Sequence, residues 1–210
     1  MRLHGYYRSG ASWRVRIALN LKGIAVEHAF HHLRRGEQTA PDYLALNPQG
    51  LVPALETDRG VLTQSLAIIE WLDESYPNPP LLPRDDAFLR ARVRAFAQVI
   101  ACDTHPVQNL KVLQRLRDDG MPSSAVEDWP RWVIGSGLAA CEALIADRGG
   151  RFCFGDAPGL ADICLVPQLA NARRFGVDLA PCPGLLAVEA ACKALPAFIE
   201  AAPERQPDAE

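Results

Sequence analysis

The segment from Tyr7 to Arg14 holds the densest group of residues that could do chemistry. It reads Tyr-Arg-Ser-Gly-Ala-Ser-Trp-Arg and lies between a predicted strand and a predicted helix. A helix N-terminus presents unpaired N–H groups and about half a positive charge, which stabilises a thiolate, carboxylate or phosphate. Ser9 and Ser12 add hydroxyl donors, and Gly10 permits a close backbone approach. The alternative interpretation is a capped helix after a tight turn, with no ligand.

A second region indicates a peptide-like ligand. Residues 50–55 read Gly-Leu-Val-Pro-Ala-Leu, and a proline at the start of such a strand is often cis. A cis bond at Pro53 would present the backbone groups of Val52 as a strand edge. Gln64 and Ser65 open the next predicted helix, which forms another anion site. Two helix N-termini beside a strand edge predict a site for a peptide-like ligand with charged ends.

The elements that must position these residues form an α/β unit in the order βαβ-ββα. The predicted strands and helices cover residues 1–6, 12–22, 25–33, 51–56, 60–63 and 65–75, the third and fourth strands forming a hairpin. Ser12 is the expected N-cap of the first helix. The βαβ opening favours a parallel pair with a right-handed crossover, to which the hairpin adds antiparallel strands. The predicted result is a small mixed sheet.

The rest of the chain is predicted to be helical. Four prolines between Tyr76 and Pro83 indicate a linker, because proline stops helices and strands. We therefore expect domains over 1–82 and 83–210. The predicted helices of the second domain cover residues 87–116, 124–146, 160–175 and 183–194. Asp162 is expected to cap a helix start at Gly159, and residues 201–210 are expected to fray.

Composition excludes several classes of protein. The net charge of −3 lacks the basic excess of a general nucleic-acid binder. No apolar stretch reaches the length of a membrane span, and the arginine-rich N-terminus does not predict a secretory signal. The six cysteines lack CxxC spacing and favour reduced, mostly buried thiols of a cytoplasmic protein. No metal site is predicted, because adjacent residues such as His31 and His32 point to opposite faces of a strand.

Motifs spread over the whole chain follow the pattern of one enzyme family. Residues 8–19 read Arg-Ser-Gly-Ala-Ser-Trp-Arg-Val-Arg-Ile-Ala-Leu, residues 46–53 Leu-Asn-Pro-Gln-Gly-Leu-Val-Pro, residues 64–72 Gln-Ser-Leu-Ala-Ile-Ile-Glu-Trp-Leu and residues 105–110 His-Pro-Val-Gln-Asn-Leu, with further matches over 155–162 and 172–179. Through these motifs the chain resembles the zeta class of glutathione transferases, from its start to about Pro183. The resemblance implies a thioredoxin-like glutathione-binding domain, an all-α C-terminal domain and a homodimer.

The same resemblance implies a reaction and a cofactor. Enzymes of this class use glutathione to isomerise maleylacetoacetate or maleylpyruvate, small dicarboxylates formed when aromatic compounds are broken down. Addition of a thiolate turns the cis double bond into a single bond, which can rotate before the thiolate leaves. A thiol of pKa about 8.5 needs a helix N-terminus or a hydroxyl donor to ionise near pH 7. Arginine suits the substrate because its planar guanidinium group binds a carboxylate through two parallel hydrogen bonds.

The resemblance also assigns roles to individual residues. Ser9 matches the serine that hydrogen-bonds the glutathione sulfur, and Arg8, Ser9 and Ser12 are the predicted catalytic residues. The predicted glutathione-binding residues are Ser9, Gln38, Gln49, Val52, Gln64, Ser65, His105 and Asn109. Arg8 and Arg174 match arginines that hold substrate carboxylates, with Arg174 favoured over its neighbour Arg173.

The chain departs from the class at one point and leaves alternatives open. Where the class commonly has Ser-Ser-Cys, this sequence has Ser9-Gly10-Ala11, which removes a thiol from the predicted site. Lys111 stands where some maleylpyruvate isomerases have arginine, so the choice between the two maleyl substrates stays open. A general transferase for small electrophiles is the alternative enzyme, and a non-catalytic protein that uses this fold for protein contacts is the alternative of another class.

Overall fold

Four short strands form one mixed sheet in the first part of the chain, all of whose residues, 1–210, are described by the computed structural model. The strands are β1 (Arg2–Gly5), β2 (Glu27–Phe30), β3 (Ala54–Thr57) and β4 (Gly60–Thr63), in the spatial order β2-β1-β3-β4. β1 runs parallel to β2 and antiparallel to β3, so that Leu3 lies between His28 and Leu55. β3 and β4 form the hairpin. The predicted parallel pair and hairpin are confirmed.

The helices follow the chain in two groups. They are α1 (Gly10–Lys22), α2 (Pro41–Leu46), α3 (Ser65–Ser75), α4 (Ala87–Gln98), α5 (Leu110–Asp118), α6 (Ser123–Leu144), α7 (Leu160–Arg174), α8 (Pro183–Lys193) and α9 (Pro196–Glu200). Short 3-10 turns cover Leu33–Arg35, Glu37–Thr39 and Pro203–Arg205, and a π-helical turn covers Val99–Thr104.

The first helix begins earlier than the sequence predicts. Ser9, and not Ser12, is the N-cap: its backbone is extended, its carbonyl accepts from the Trp13 N–H at 2.8 Å, and its Oγ accepts from the Ser12 N–H at 3.2 Å. Either serine can cap a helix, and the first one does because helical backbone already begins at Gly10. The prediction of Ser12 as N-cap is therefore wrong.

Helix α1 is buried on all sides from Ser12 to Leu19. It packs against α3 and α9, and the core around it contains Ile17, Leu55 and Ile68, none of which is exposed. Burial on every side leaves no solvated face for its two arginines, Arg14 and Arg16, which are 2% and 5% exposed. A buried guanidinium must find acceptors for its donors, so both arginines act as internal connectors.

One predicted long helix, over 87–116, is broken. The chain forms α4 and then the π-helical turn Val99–Thr104, leaves helical structure around Pro106, and resumes with α5 at Leu110. Proline has no N–H to continue the ladder, and Asn109 caps the new helix through a 2.7 Å bond from the Leu110 N–H to its Oδ1. The break therefore presents residues 105–109 as a loop.

The predicted cap at the start of α7 is confirmed. Asp162 accepts from the backbone N–H of Gly159 and of Cys153, both at 2.9 Å, and its side chain is buried. Burial raises the pKa of this carboxyl group, and the bonds from the two amides oppose the rise. The cap holds α7, whose apolar side chains pack in the core of the helical part beside Phe96 of α4.

The chain divides into two compact units. The first consists of Met1–Leu81 and the C-terminal segment Lys193–Glu210, and the second of Leu82–Cys192. These units differ from the predicted domains 1–82 and 83–210 in the placement of that C-terminal segment. Its last residues are tied down, since Asp208 accepts a 2.9 Å hydrogen bond from the Tyr7 N–H. The prediction that residues 201–210 fray is wrong. No helix has both the length and the apolar character that a membrane crossing requires.

Candidate active site

Ser9 lies where a hydroxyl donor meets a helix N-terminus. Its Oγ accepts from the Ser12 N–H, so the hydrogen of its own hydroxyl group is left to donate elsewhere. A hydroxyl that accepts one bond is polarised toward donating another. The side chain of Ser12 is fully buried, with its Oγ against Gly5 of β1, and Ser12 contributes to this corner through its backbone N–H. The arrangement suits an anion placed beside Ser9.

The start of α3 lies beside α1. Nη1 of Arg14 donates to Oγ of Ser65, the first residue of α3, over 3.3 Å. The predicted second anion site, at Gln64 and Ser65, is thus connected to the helix that Ser9 caps. Gln64 has φ = 68°, a backbone conformation that residues other than glycine rarely adopt. Such strain persists only where the surroundings impose it, and it marks Gln64 as a functional candidate.

Three glutamines predicted from distant parts of the sequence come together. Nε2 of Gln64 donates to Oε1 of Gln49 over 2.7 Å. Gly50, which follows Gln49, has φ = 61° and lies close to the backbone of Gln38. A Cβ atom on Gly50 would lie 3.2 Å from the Gln38 carbonyl oxygen. Oε1 of Gln38 is buried without a hydrogen-bond partner. A buried amide oxygen in this state is a ready acceptor for a polar ligand.

Val52 supplies backbone groups to the same unit. The Val52–Pro53 bond is cis, as predicted. The carbonyl of the preceding Leu51 is fixed by two donors, the Tyr43 hydroxyl at 2.6 Å and Nδ2 of Asn47 at 2.7 Å. Burial raises the pKa of Tyr43 to about 12, so this phenol remains a donor at neutral pH. No intramolecular hydrogen bond uses the N–H or carbonyl of Val52, which leaves both to bind an extended ligand.

The residues just before Ser9 are aromatic and basic. Burial raises the pKa of Tyr6 to about 12, despite the nearby positive charge of Arg8. A phenol with this pKa stays neutral at pH 7, and a hydrogen bond with Tyr7 contributes to the rise after burial. Arg8 is half-buried and directly precedes the capping serine. It is therefore the cation nearest in sequence to Ser9.

In the second unit, His105 and Asn109 occupy the loop between the π-helical turn and α5. Both are half-buried, and the backbone N–H of His105 donates to the Ile100 carbonyl at 2.8 Å. The loop is held against α6 by the indole N–H of Trp129, which donates to the Val107 carbonyl at 2.9 Å. Both residues therefore sit on a fixed backbone.

The two adjacent arginines at the end of α7 have different partners. Arg173 forms a bidentate pair with the buried Glu189, at 2.6 and 2.5 Å, and this bond raises the pKa of Arg173. Arg174 is exposed and its guanidinium lies 4.8 Å from the centre of the Phe175 ring. Arg173 therefore serves a structural pair, whereas Arg174 lies at the surface. Lys111 is exposed near the start of α5.

Four of the protein's own thiols are poorly suited to nucleophilic chemistry. All six cysteines are free, and all but Cys102 are buried. Burial raises the pKa of Cys141 to about 12 and raises those of Cys153, Cys182 and Cys192 as well. No three His, Cys, Asp or Glu side chains form a group able to hold a metal ion. The first unit contains none of the six cysteines, so it supplies no thiol of its own beside Ser9.

Sequence reasoning missed several residues that support the site. Arg14, Arg16, Tyr43, Asn47 and Asp208 all bond residues in or next to it. A usable signal existed for the two arginines, since they alternate with Trp13, Val15 and Ile17 in a helix with few other polar residues. Asn47 stands in the 46–53 motif and bonds groups of its own loop, the Leu51 carbonyl and the Gln49 N–H. No local pattern points to Tyr43 or Asp208.

Comparison with known families defines the class of protein. Models of the glutathione S-transferase N-terminal and C-terminal domains match residues 3–80 and 133–200. The chain belongs to the glutathione S-transferase family.

Individual relatives narrow the comparison. The chain is 52% identical to a maleylpyruvate isomerase of Ralstonia sp, with 99% of each chain covered. It is 51% identical to a maleylacetoacetate isomerase of Pseudomonas aeruginosa, with 99% and 98% covered.

Two solved structures extend this likeness to the fold. One is the holo structure of a bacterial maleyl pyruvate isomerase of the zeta class, with a TM-score of 0.96, 51% identity and full coverage of both chains. The other is a maleylacetoacetate isomerase of Methylobacterium extorquens AM1 with bound malonate and glutathione, with a TM-score of 0.95, 43% identity and full coverage. The thioredoxin-like plus helical fold of the glutathione transferases is confirmed.

Proposed function

We propose that this protein is a glutathione-dependent cis–trans isomerase that converts maleylacetoacetate or maleylpyruvate to the fumaryl isomer in the breakdown of aromatic compounds. Relatives with these activities in their names share about half of its residues over nearly the whole chain. One observation carries the proposal: the Ser9 hydroxyl caps a helix and still has its hydrogen to donate. The unit that contains Ser9 has no cysteine of its own.

The residues of the first unit fit glutathione. Val52 offers an N–H and a carbonyl without internal partners, which suits the peptide-like backbone of the tripeptide. Gln49, Gln64 and Ser65 would hold a carboxylate at the start of α3, where the N–H groups favour an anion. The buried Oε1 of Gln38 supplies an acceptor for an ammonium or amide donor. His105 and Asn109 are proposed as further glutathione ligands from the helical unit.

Ser9 and the helix it caps would lower the pKa of a thiol bound there. When bound, glutathione supplies the thiolate, whose addition to the cis double bond allows rotation and whose departure leaves the trans isomer. The chain's part is to keep that sulfur ionised, through the Ser9 hydroxyl and the N-terminus of α1. Ser12 is proposed to assist through its backbone N–H, which donates a hydrogen bond to Oγ of Ser9.

Arg8 and Arg174 are proposed to hold the carboxylates of the substrate. A planar guanidinium binds a carboxylate through two parallel bonds and so fixes its orientation. Arg8 would also stabilise negative charge that develops on the carbonyl next to the double bond, because a fixed cation in a partly buried site costs no reorganisation. A relative with malonate bound, together with glutathione, supports a site for dicarboxylates.

Isomerase assays with and without glutathione test the proposal. We expect turnover of maleylacetoacetate or maleylpyruvate only in the presence of glutathione, and a loss of about a hundredfold or more in kcat on Ser9→Ala. Ser136→Ala, an exposed serine of α6, is the matched control. Turnover that continues without thiol would refute the mechanism. Conjugation of an aromatic halide with no turnover of maleyl compounds would instead favour the general transferase.

We further propose a cytoplasmic homodimer. Free cysteines are typical of a reducing compartment, and the family resemblance supports the dimer. Sedimentation of the purified protein should give twice the 23.0 kDa mass of one chain. A mass that stays at one chain over the working concentration range would exclude the dimer.

A further inference from the structure

Side chains from outside the turn hold the backbone that leads into Ser9. The N–H of Tyr7 donates to Oδ2 of Asp208 at 2.9 Å, and the Tyr7 carbonyl accepts from Nη2 of Arg16 at 2.9 Å. The Tyr6 carbonyl accepts from the Ser9 N–H at 3.0 Å and from Nη1 of Arg16 at 3.5 Å. One carboxylate and one guanidinium thus fix the peptide groups on which the position of Ser9 depends.

Arg16 connects this turn to the C-terminal segment. Its Nε donates to the Ala201 carbonyl at 2.9 Å, so the guanidinium bonds three carbonyl groups from two parts of the chain. Burial lowers the pKa of Arg16 to about 10, and the negative charge of Asp208 opposes that effect. The guanidinium is therefore still protonated at neutral pH, and Asp208 is its nearby counter-charge.

The end of the segment reaches a second part of the proposed glutathione site. An oxygen of Glu210 lies 3.1 Å from Nε2 of His32 and 3.3 Å from Nη2 of Arg35. His32 is the N-cap and Arg35 the last residue of the 3-10 turn Leu33–Arg35, which Gly36 separates from the turn that contains Gln38. The C-terminal segment is therefore bonded both to the Ser9 turn and to the 3-10 turn that precedes the one with Gln38, although neither is near it in sequence.

We propose that Asp208 is a positioning residue for the thiol site: by holding the Tyr7 amide, its carboxylate keeps the Ser9 hydroxyl aimed at the glutathione sulfur. The inference rests on the proposed function. A hydrogen bond to an ionised acceptor is about twice as strong as a neutral one, so loss of the carboxylate loosens the turn even where the fold survives. A displacement of about 1 Å of a group that acts on the reacting atom can cost about a hundredfold in rate.

The test compares Asp208→Ala with Glu204→Ala, an exposed carboxylate of the same segment, in the full-length protein. The midpoint of thiol ionisation is read from the ultraviolet absorbance of the thiolate of bound glutathione as the pH is varied. For Asp208→Ala we expect this midpoint to rise by about one pH unit, a tenfold weaker stabilisation of the thiolate. We expect kcat/KM for glutathione to fall by about tenfold, and Glu204→Ala to match the unchanged protein.

An ionisation midpoint in Asp208→Ala equal to that of the unchanged protein overturns the proposal, even where the variant is less stable to heat. A merely structural role would lower stability without moving the midpoint. Should Asp208→Ala not fold, Asp208→Asn decides, because it replaces the charge-assisted bond from Tyr7, on which the proposal rests, with a neutral bond of about half the strength. A smaller shift in the same direction then supports the proposal, and no shift refutes it.

The readout separates this inference from the proposed function. The absorbance measurement needs only bound glutathione, so a lack of maleyl isomerisation in the unchanged protein refutes the proposed reaction and leaves this test intact. An active protein whose Asp208→Ala variant has an unshifted midpoint refutes the positioning role alone.

Discussion

The side-chain amide of Gln64 donates a 2.7 Å hydrogen bond to the side-chain oxygen of Gln49, although the two residues are 15 positions apart. The bond uses one donor of Gln64 and leaves its carbonyl oxygen and the Gln49 amide group for a ligand. Each glutamine thus holds the other at the edge of the proposed glutathione site, where Gln64 already has an unusual backbone conformation.

We predict that removing either glutamine weakens glutathione binding. Gln49→Ala and Gln64→Ala should each raise the KM for glutathione by about tenfold, the effect of losing about 1.4 kcal/mol of hydrogen bonding to a charged ligand. The double variant should lose less glutathione-binding free energy than the two single variants together, because each single change already breaks the bond between the two glutamines. Steady-state kinetics at saturating maleyl substrate measure the effect. Gln114→Ala, an exposed glutamine of α5, is the control, and an unchanged KM in both variants would remove these residues from the site.

Local chemistry explains why much of the first unit is predictable. Strand alternation, the Thr57–Gly60 turn and the apolar side of α3 are encoded within a few residues, so β4 and α3 lie where the sequence predicts them. β3 begins at Ala54, three residues later than predicted. The N-cap was misplaced because Ser9 and Ser12 are both good capping residues, and propensity does not decide between them. The choice depends on the turn before Ser9, which Arg16 and Asp208 hold from elsewhere.

Tertiary contacts explain what the sequence could not reveal. Residues 201–210 have the composition of a frayed end, yet Asp208 bonds the distant Tyr7 amide. The pairing of Arg173 with Glu189 likewise joins two helices, and nothing in either helix alone identifies the partner. For the candidate site, the family resemblance predicts which residues take part. Only the structure reveals the hydrogen bond between Gln49 and Gln64.

We predict that the two neighbouring arginines of α7 differ in their roles. Arg174→Ala should raise the KM for the maleyl substrate about tenfold or more and leave the KM for glutathione unchanged, because a carboxylate grip is lost. Arg173→Ala should instead lower the free energy of unfolding by roughly 1–2 kcal/mol, since the buried Glu189 loses its bidentate bond with Arg173. Kinetics and denaturant unfolding on both variants distinguish these outcomes. The reverse pattern would assign the substrate to Arg173.

A chain of hydrogen bonds in the sheet makes the first unit sensitive to acid. Nδ1 of His4 lies 2.8 Å from Nε2 of His31, and Nε2 of His4 lies 2.6 Å from Oε1 of Glu56. Burial, and then the charge of His4, lowers the pKa of His31, and the bond to His4 lowers that of Glu56. Below the ordinary pKa of histidine the unfolded chain therefore binds more protons than the folded one, so stability falls as the pH falls.

We predict that His31→Gln flattens this pH dependence. Between about pH 7 and pH 5 the free energy of unfolding should decline less steeply in the variant, because one group that takes up a proton only on unfolding is gone. Some slope should remain, since burial also lowers the pKa of His28. Denaturant titrations at several pH values give the slope. A decline as steep as in the unchanged protein would show that His31 does not titrate with unfolding.

Cys102 should be the one thiol that reacts quickly in the folded protein. It is the only exposed cysteine. The thiolate is the reactive form, and burial disfavours it at Cys141, Cys153, Cys182 and Cys192. We predict one fast equivalent with an aromatic disulfide reagent in the native state and six after denaturation. Cys102→Ser should abolish the fast reaction and keep full glutathione-dependent turnover. Loss of turnover in this variant would mean that a protein thiol takes part in the chemistry. Full turnover would agree with a thiol that arrives with glutathione, because the unit that contains Ser9 has no cysteine.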